Sequence, residues 1–129
     1  MKIMLSVTAV IEAVTGLALV LSPSIPTSLL LGVSLDTPGG LVVGRVAGAA
    51  LLALATACWP ARNDPQSRAT TGLIVALLLY NVAAVMVLVH AGTSLGLSGI
   101  ALWPTVGLHA ALAVWCIACL QMKRTTPIV

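Results

Sequence analysis

Apolar positions fill four long blocks of this chain, with polar and proline-rich punctuation between them. The first block runs from about Ile3 to Leu21 and is stopped by Ser22-Pro23-Ser24-Ile25-Pro26. The second runs from about Leu41 to Trp59 and ends at Pro60. The third covers about Ala69 to Ala91, and the fourth about Gly99 to Met122, with Trp103-Pro104 in its first turns, where proline is tolerated. A helix that spans a bilayer needs about 20 mostly apolar residues. The pattern therefore predicts an all-α protein: one membrane domain built as a bundle of four transmembrane helices over 3–21, 41–59, 69–91 and 99–122.

The intervening loops refine this picture. The first, from Ser22 to Gly40, has an apolar middle too short to span, Thr27-Ser-Leu-Leu-Leu-Gly-Val-Ser-Leu35. It is expected to lie on the outer interface as a short helix or to tuck over the bundle as a cap. Lys2, Arg62, Arg68, Lys123 and Arg124 fall on one side of the four spans, and the loops 22–40 and 92–98 carry no Lys or Arg. The positive-inside rule then places both termini in the cytoplasm. The first block is longer than the roughly 7–15 apolar residues of a signal peptide and contains Glu12, so it is read as a helix that stays.

Composition agrees. Of 129 residues, 60% are hydrophobic and only 7% charged, with a mean hydropathy of +1.14. Soluble domains carry about 25% charged residues. The net charge of +3 is spread over loop ends, without the basic helix or aromatic platform that nucleic-acid binding needs. The expected setting is a bacterial-type inner membrane, multi-pass. Its partners are the lipid bilayer and either further copies of the chain or a larger membrane complex.

Each predicted span carries polar residues: Glu12, Arg45, Asn81 (beside Tyr80) and His109. At ~1.5 Å per residue, Glu12 and Asn81 lie near mid-membrane and Arg45 roughly 6–8 Å above it. A charge at the centre of a span costs about 2.5–3.5 kcal/mol. Glu12 and Arg45 are the one acid and the one arginine or lysine within the spans, so a buried salt bridge between them is expected, with Asn81, Tyr80 and His109 satisfying the remaining groups. This cluster is the candidate ligand or proton site. Gly40, Gly44 and Gly48 recur every four residues, so they line one helix face and invite close packing by another helix, in the same chain or another copy.

Other chemistry is less well supplied. Cys116-Ile-Ala-Cys119 is a C-x-x-C near the end of the fourth span, and Cys58 lies at the same level. Membrane thiol oxidoreductases of the vitamin K epoxide reductase type also use a C-x-x-C in a four-helix bundle, but they need a second cysteine pair. His90 and His109 differ in depth by roughly 10 Å, which excludes joint ligation of one haem. No phosphate loop, serine elbow or His-Glu-x-x-His motif is present, and no metal site or cofactor is indicated.

Two family resemblances can be traced to residues. Gly16 and Pro23, then Gly44-Arg45-Val-Ala-Gly48 opening the second helix, and the basic turn at Ala61-Arg62 resemble the layout of DoxX-like small bacterial membrane proteins. That likeness spans the first two helices and implies a four-helix architecture; some members are accessory subunits of quinone-linked oxidoreductases. Ala9-Val-Ile-Glu12-Ala-Val-Thr-Gly16 is similar to the segment bearing the membrane-embedded glutamate of small multidrug resistance transporters. In that family the glutamate exchanges protons for cationic drugs. This chain lacks their aromatic-rich binding face, adds Arg45, and has loop charges that favour one topology.

Together these readings lead to an expected function that is not catalytic: binding a small or lipidic ligand, or serving as a subunit of a membrane assembly. The first alternative is a proton-coupled transporter with Glu12 as proton carrier. The second is a thiol–quinone oxidoreductase using Cys116 and Cys119.

Overall fold

The computed structural model describes residues 1–124, less the Arg124 side chain. They form five helices: α1 (Lys2–Leu21), α2 (Ser24–Leu31), α3 (Pro38–Ala61), α4 (Arg68–Ser94) and α5 (Leu102–Arg124), with no strand among them. Four of these, α1, α3, α4 and α5, are long and apolar enough to cross a membrane.

Local chemistry sets the boundaries. Ser22 leaves the helical region at φ −148° before Pro23, because a residue that precedes proline is pushed out of the α region. α2 closes on Gly32 at φ 74°, a left-handed conformation that glycine adopts without strain. α3 starts three residues earlier than the hydrophobic run. The Thr37 side chain accepts a hydrogen bond from the Gly40 N–H at 3.1 Å, and Pro38 occupies the first helical position. Ser67 caps α4 in the same way through the Thr70 N–H at 3.0 Å. α5 starts later than its apolar run, at Leu102, because the preceding segment is tied to α2. There Ala101 donates its N–H to the Leu29 carbonyl at 2.9 Å.

α1 packs mainly on α3, and α4 on α5. The α1–α3 crossing is made by glycine. A Cβ on Gly48 would stand 2.7 Å from the Gly16 carbonyl oxygen, and one on Gly16 would stand 2.8 Å from that of Gly48. Gly44 packs on Pro23 and Leu35, and Gly40 on Leu35 and its own cap Thr37. Of the three regularly spaced glycines, Gly48 alone meets a neighbouring helix backbone, whereas the other two seat the 22–37 connection.

The bundle has two unlike ends. Toward the termini, Met4, Leu5, Ala9, Cys58, Ile74, Leu77, Cys116 and Cys119 form one tightly buried cluster. Lys123 closes this end, donating to the carbonyls of Gln66 and Ser67 at 3.1 Å each and to the Thr71 hydroxyl. At the other end, α2 lies across the bundle. Its Gly32 neighbours Ser98, and Gly99 is so close to the Leu29–Leu30 backbone that a Cβ there would fall 2.2 Å from the Leu29 oxygen.

Candidate functional site

Below α2 the bundle is less completely filled. A partly enclosed pocket of about 240 Å³ lies between α1, α3, α4 and α5, roofed by Pro26, Leu29 and Leu30 of α2. Its polar lining comes from three helices: Glu12 and Thr15 from α1, Tyr80 from α4, and Thr105 and His109 from α5. Ile11, Leu51, Ala101 and Leu108 complete the wall.

Thr15 lies three residues after Glu12, and Thr105 one turn before His109. Helical spacing thus repeats a polar side chain on the face that each helix turns to the pocket. Gly16, on the same side of α1, lets α3 come close enough for Leu51 to reach the wall.

Asn81 stands behind His109 and fixes it. The amide is 1% exposed. Its Nδ2 donates to the Leu77 carbonyl at 2.7 Å, and its Oδ1 is 2.8 Å from His109 Nδ1. A backbone carbonyl only accepts, so the amide nitrogen must face Leu77 and the amide oxygen must face the imidazole. His109 therefore carries a proton on Nδ1. In the neutral ring, Nε2 is then a bare acceptor. Tyr80 meets the same ring edge to face, with centroids 5.6 Å apart and planes at 84°, an orientation suited to aromatic quadrupoles.

Glu12 is 2% exposed and is one of the residues that line the pocket. It makes no ion pair with any described residue. The expected Glu12–Arg45 bridge is absent, and Arg45 is exposed on the outside of the bundle. The α1–α3 register explains this. With Gly16 opposite Gly48 and Leu52, residue 45 is level with residue 19 or beyond, at least seven residues from Glu12, or about 10 Å along the axis. Arg45 also directly follows Gly44 in the chain, so it projects about 100° around the helix from a residue on the buried stripe.

The other sequence candidates separate cleanly. Cys58, Cys116 and Cys119 are free thiols, 0–1% exposed, in the packed cluster at the terminal end, and none lines the Glu12 pocket. No group of three or more His, Cys, Asp or Glu side chains among the described residues is arranged to hold a metal ion. A larger apolar groove of about 480 Å³ between α1 and α3, lined by Val10, Ala55, Trp59 and Pro60 among others, contains no ionisable side chain. The sequence offered the Thr27–Leu35 stretch as one possible cap without assigning Pro26, Leu29 or Leu30 to a pocket, named Gly16 without its partner on α3, and did not single out Thr105. For Gly16 a signal existed: the glycine face of α3 needs a partner without a side chain.

Comparison of the chain with protein-family models, with curated proteins and with solved structures finds no match.

Proposed function

We propose that the chain is a multi-pass protein of a bacterial-type inner membrane that binds a small ligand, without catalysing its conversion, in the pocket shared by Glu12, Tyr80 and His109. Membrane insertion is supported by the outer surfaces of the four long helices, where Ile3, Leu79, Met86 and Val114 are among the many apolar side chains left exposed. Water would not tolerate so continuous an apolar surface. A cytoplasmic location of both termini is supported by Lys2, Arg62, Arg68 and Lys123 at one end of the bundle and by the connections 22–37 and 95–101 at the other, which carry no Lys or Arg.

A single observation carries the ligand reading: a buried glutamate lines a pocket and has no ion-pair partner among the described residues. Intramembrane acids without a partner are costly, and where they persist they mark functional sites. At about 240 Å³ the space is below the roughly 300–1,000 Å³ of drug-sized pockets. The ligand is accordingly small, or is the end of a longer molecule.

Purification in lipid nanodiscs, followed by extraction and mass spectrometry, tests this. Wild-type protein should carry a small molecule that is lost from Thr105→Trp, which fills the pocket, and reduced in the milder Thr105→Leu. Identical small-molecule content in the wild type and a folded pocket-filled variant would overturn the reading.

A further inference from the structure

We infer that the groove between α1 and α3 holds an acyl chain of an anionic phospholipid, whose phosphate is met by Lys2 and Arg62 beyond the groove's terminal end. This rests on the membrane setting proposed above and is independent of the Glu12 pocket.

The groove, about 480 Å³ in volume, is lined by Ala9, Ala13 and Ala55 between the half-exposed side chains of Val10 and Trp59. Alanine stops at Cβ, so the two helices leave a slot that their own side chains do not fill. In a bilayer hydrocarbon fills such a slot, because a void forfeits dispersion contacts.

What lies at its end is charge. Trp59 carries the Arg62 guanidinium on its ring, with Cζ 3.4 Å from the centroid, a cation–π contact that holds the long side chain beside the groove. Arg62 lacks an acid: its Nε is buried without a hydrogen-bond partner, and it makes no ion pair with a described residue. Asp64, the acid nearest in the chain, lines a different groove between α3 and α4. Lys2 stands level with Arg62. Gly16 meets α3 at residues 48–52, and α1 and α3 run antiparallel. Fourteen residues back along α1 and fourteen forward from that crossing, Lys2 is level with residues 62–66, and it lines a recess with Pro65 and Gln66. It also shares a helix face with Ala9 and Ala13, seven and eleven residues further on.

Two cations without acids, beside an apolar slot at the end of two spanning helices, match a lipid with a net negative head. Arginine's fork suits the phosphate. A choline lipid brings its own ammonium and offers no net charge. A second copy inserted in the same direction would bring its own Lys2 and Arg62 to this level, where like charges repel.

The test uses the full chain in detergent micelles, supplied with phosphatidylglycerol and phosphatidylcholine of identical acyl chains, with bound lipid counted by native mass spectrometry. A basic residue near an anionic lipid surface is worth about fivefold in binding. Wild type should retain one phosphatidylglycerol, preferred about 10- to 30-fold. Arg62→Gln and Lys2→Gln should each cut that preference about fivefold, whereas Arg68→Gln, at the same end but away from the groove, should leave it unchanged. Thr56→Phe, which fills the groove from its exposed rim, should lower retention of both lipids. Equal retention of the two lipids by the wild type would overturn the proposal, as would an Arg68→Gln loss as large as that of Arg62→Gln, undiminished retention in Thr56→Phe, or a dimer that carries no lipid. Resistance of the chain to alkaline carbonate extraction from membranes reports the membrane setting separately: a resistant chain without lipid preference sinks this inference alone, and an extracted chain sinks both.

Discussion

Asn81 has one orientation open to it, and His109 inherits its proton position from that fact. The expected state of His109 in the unliganded wild type is Nδ1–H with Nε2 unprotonated, seen by side-chain ¹⁵N NMR after His90→Gln removes the second imidazole. Asn81→Leu removes the acceptor at Nδ1 and should move the ring toward the Nε2–H form. A wild-type spectrum dominated by Nε2–H would refute the hydrogen-bond assignment. Part of this site was legible beforehand. Depth along each span brought Glu12 and Asn81 near mid-membrane and His109 a little outside it, because helical rise is fixed and hydrophobic blocks set where each helix begins. Arg45 was matched to Glu12 because opposite charges in a low-dielectric medium attract. That inference had no access to the register between α1 and α3, which Gly16 and Gly48 decide. Charge pairing was outweighed by backbone packing, and Arg45 sits where its stem lies outside the bundle, free to extend along the helix toward the polar region at the α2 end.

At the scale of elements, the glycine crossing holds α1 and α3 in that register. A Cβ on Gly48 would lie 2.7 Å from the Gly16 oxygen and 2.9 Å from the Val20 nitrogen. Both are backbone atoms, so relief requires the helices to separate. Gly48→Ala should therefore destabilise the bundle by about 1–3 kcal/mol, as overpacking does. Gly72→Ala, where nothing lies within 4 Å of the added Cβ, should be neutral or gain up to about 1 kcal/mol from helix propensity. Unfolding of the two variants in mixed detergent micelles compares them directly. Equal stability would mean that Gly16 and Gly48 do not set the crossing. The four long helices were readable from hydropathy because length and apolar content alone specify them. The placement of α2 was not, because it depends on contacts far apart in sequence. These are the Ala101–Leu29 backbone hydrogen bond and the close approach of Gly99 to the Leu29–Leu30 backbone. A hydropathy profile shows an apolar stretch after Thr27 but not which surface it covers.

For the whole molecule, the two unlike ends and the charge asymmetry combine into a directional arrangement. The tightly packed end holds the thiols, the chain's beginning and the basic connection between α3 and α4. The looser end holds the pocket, the α2 roof, Asp36 and Arg45 on the outer face of α3, and its connections 22–37 and 95–101 carry no Lys or Arg. If positive residues stay on the cytoplasmic side, α2 faces outward and the pocket lies nearer the outer surface than the inner one. Its ligand would then be met from outside the cell or from the outer leaflet, and the packed cluster beneath would block passage to the other side. Single cysteines report this directly, because the three native thiols are buried. Asp36 and Asn63 are both exposed, at opposite ends of α3. In intact cells a membrane-impermeant maleimide should label Asp36→Cys and spare Asn63→Cys, which should react only after permeabilisation. The reverse pattern would turn the molecule over and place the roof of the pocket in the cytoplasm. The interior geometry of Glu12, Asn81 and His109 would be unchanged, but the source of the ligand would become the cytoplasm.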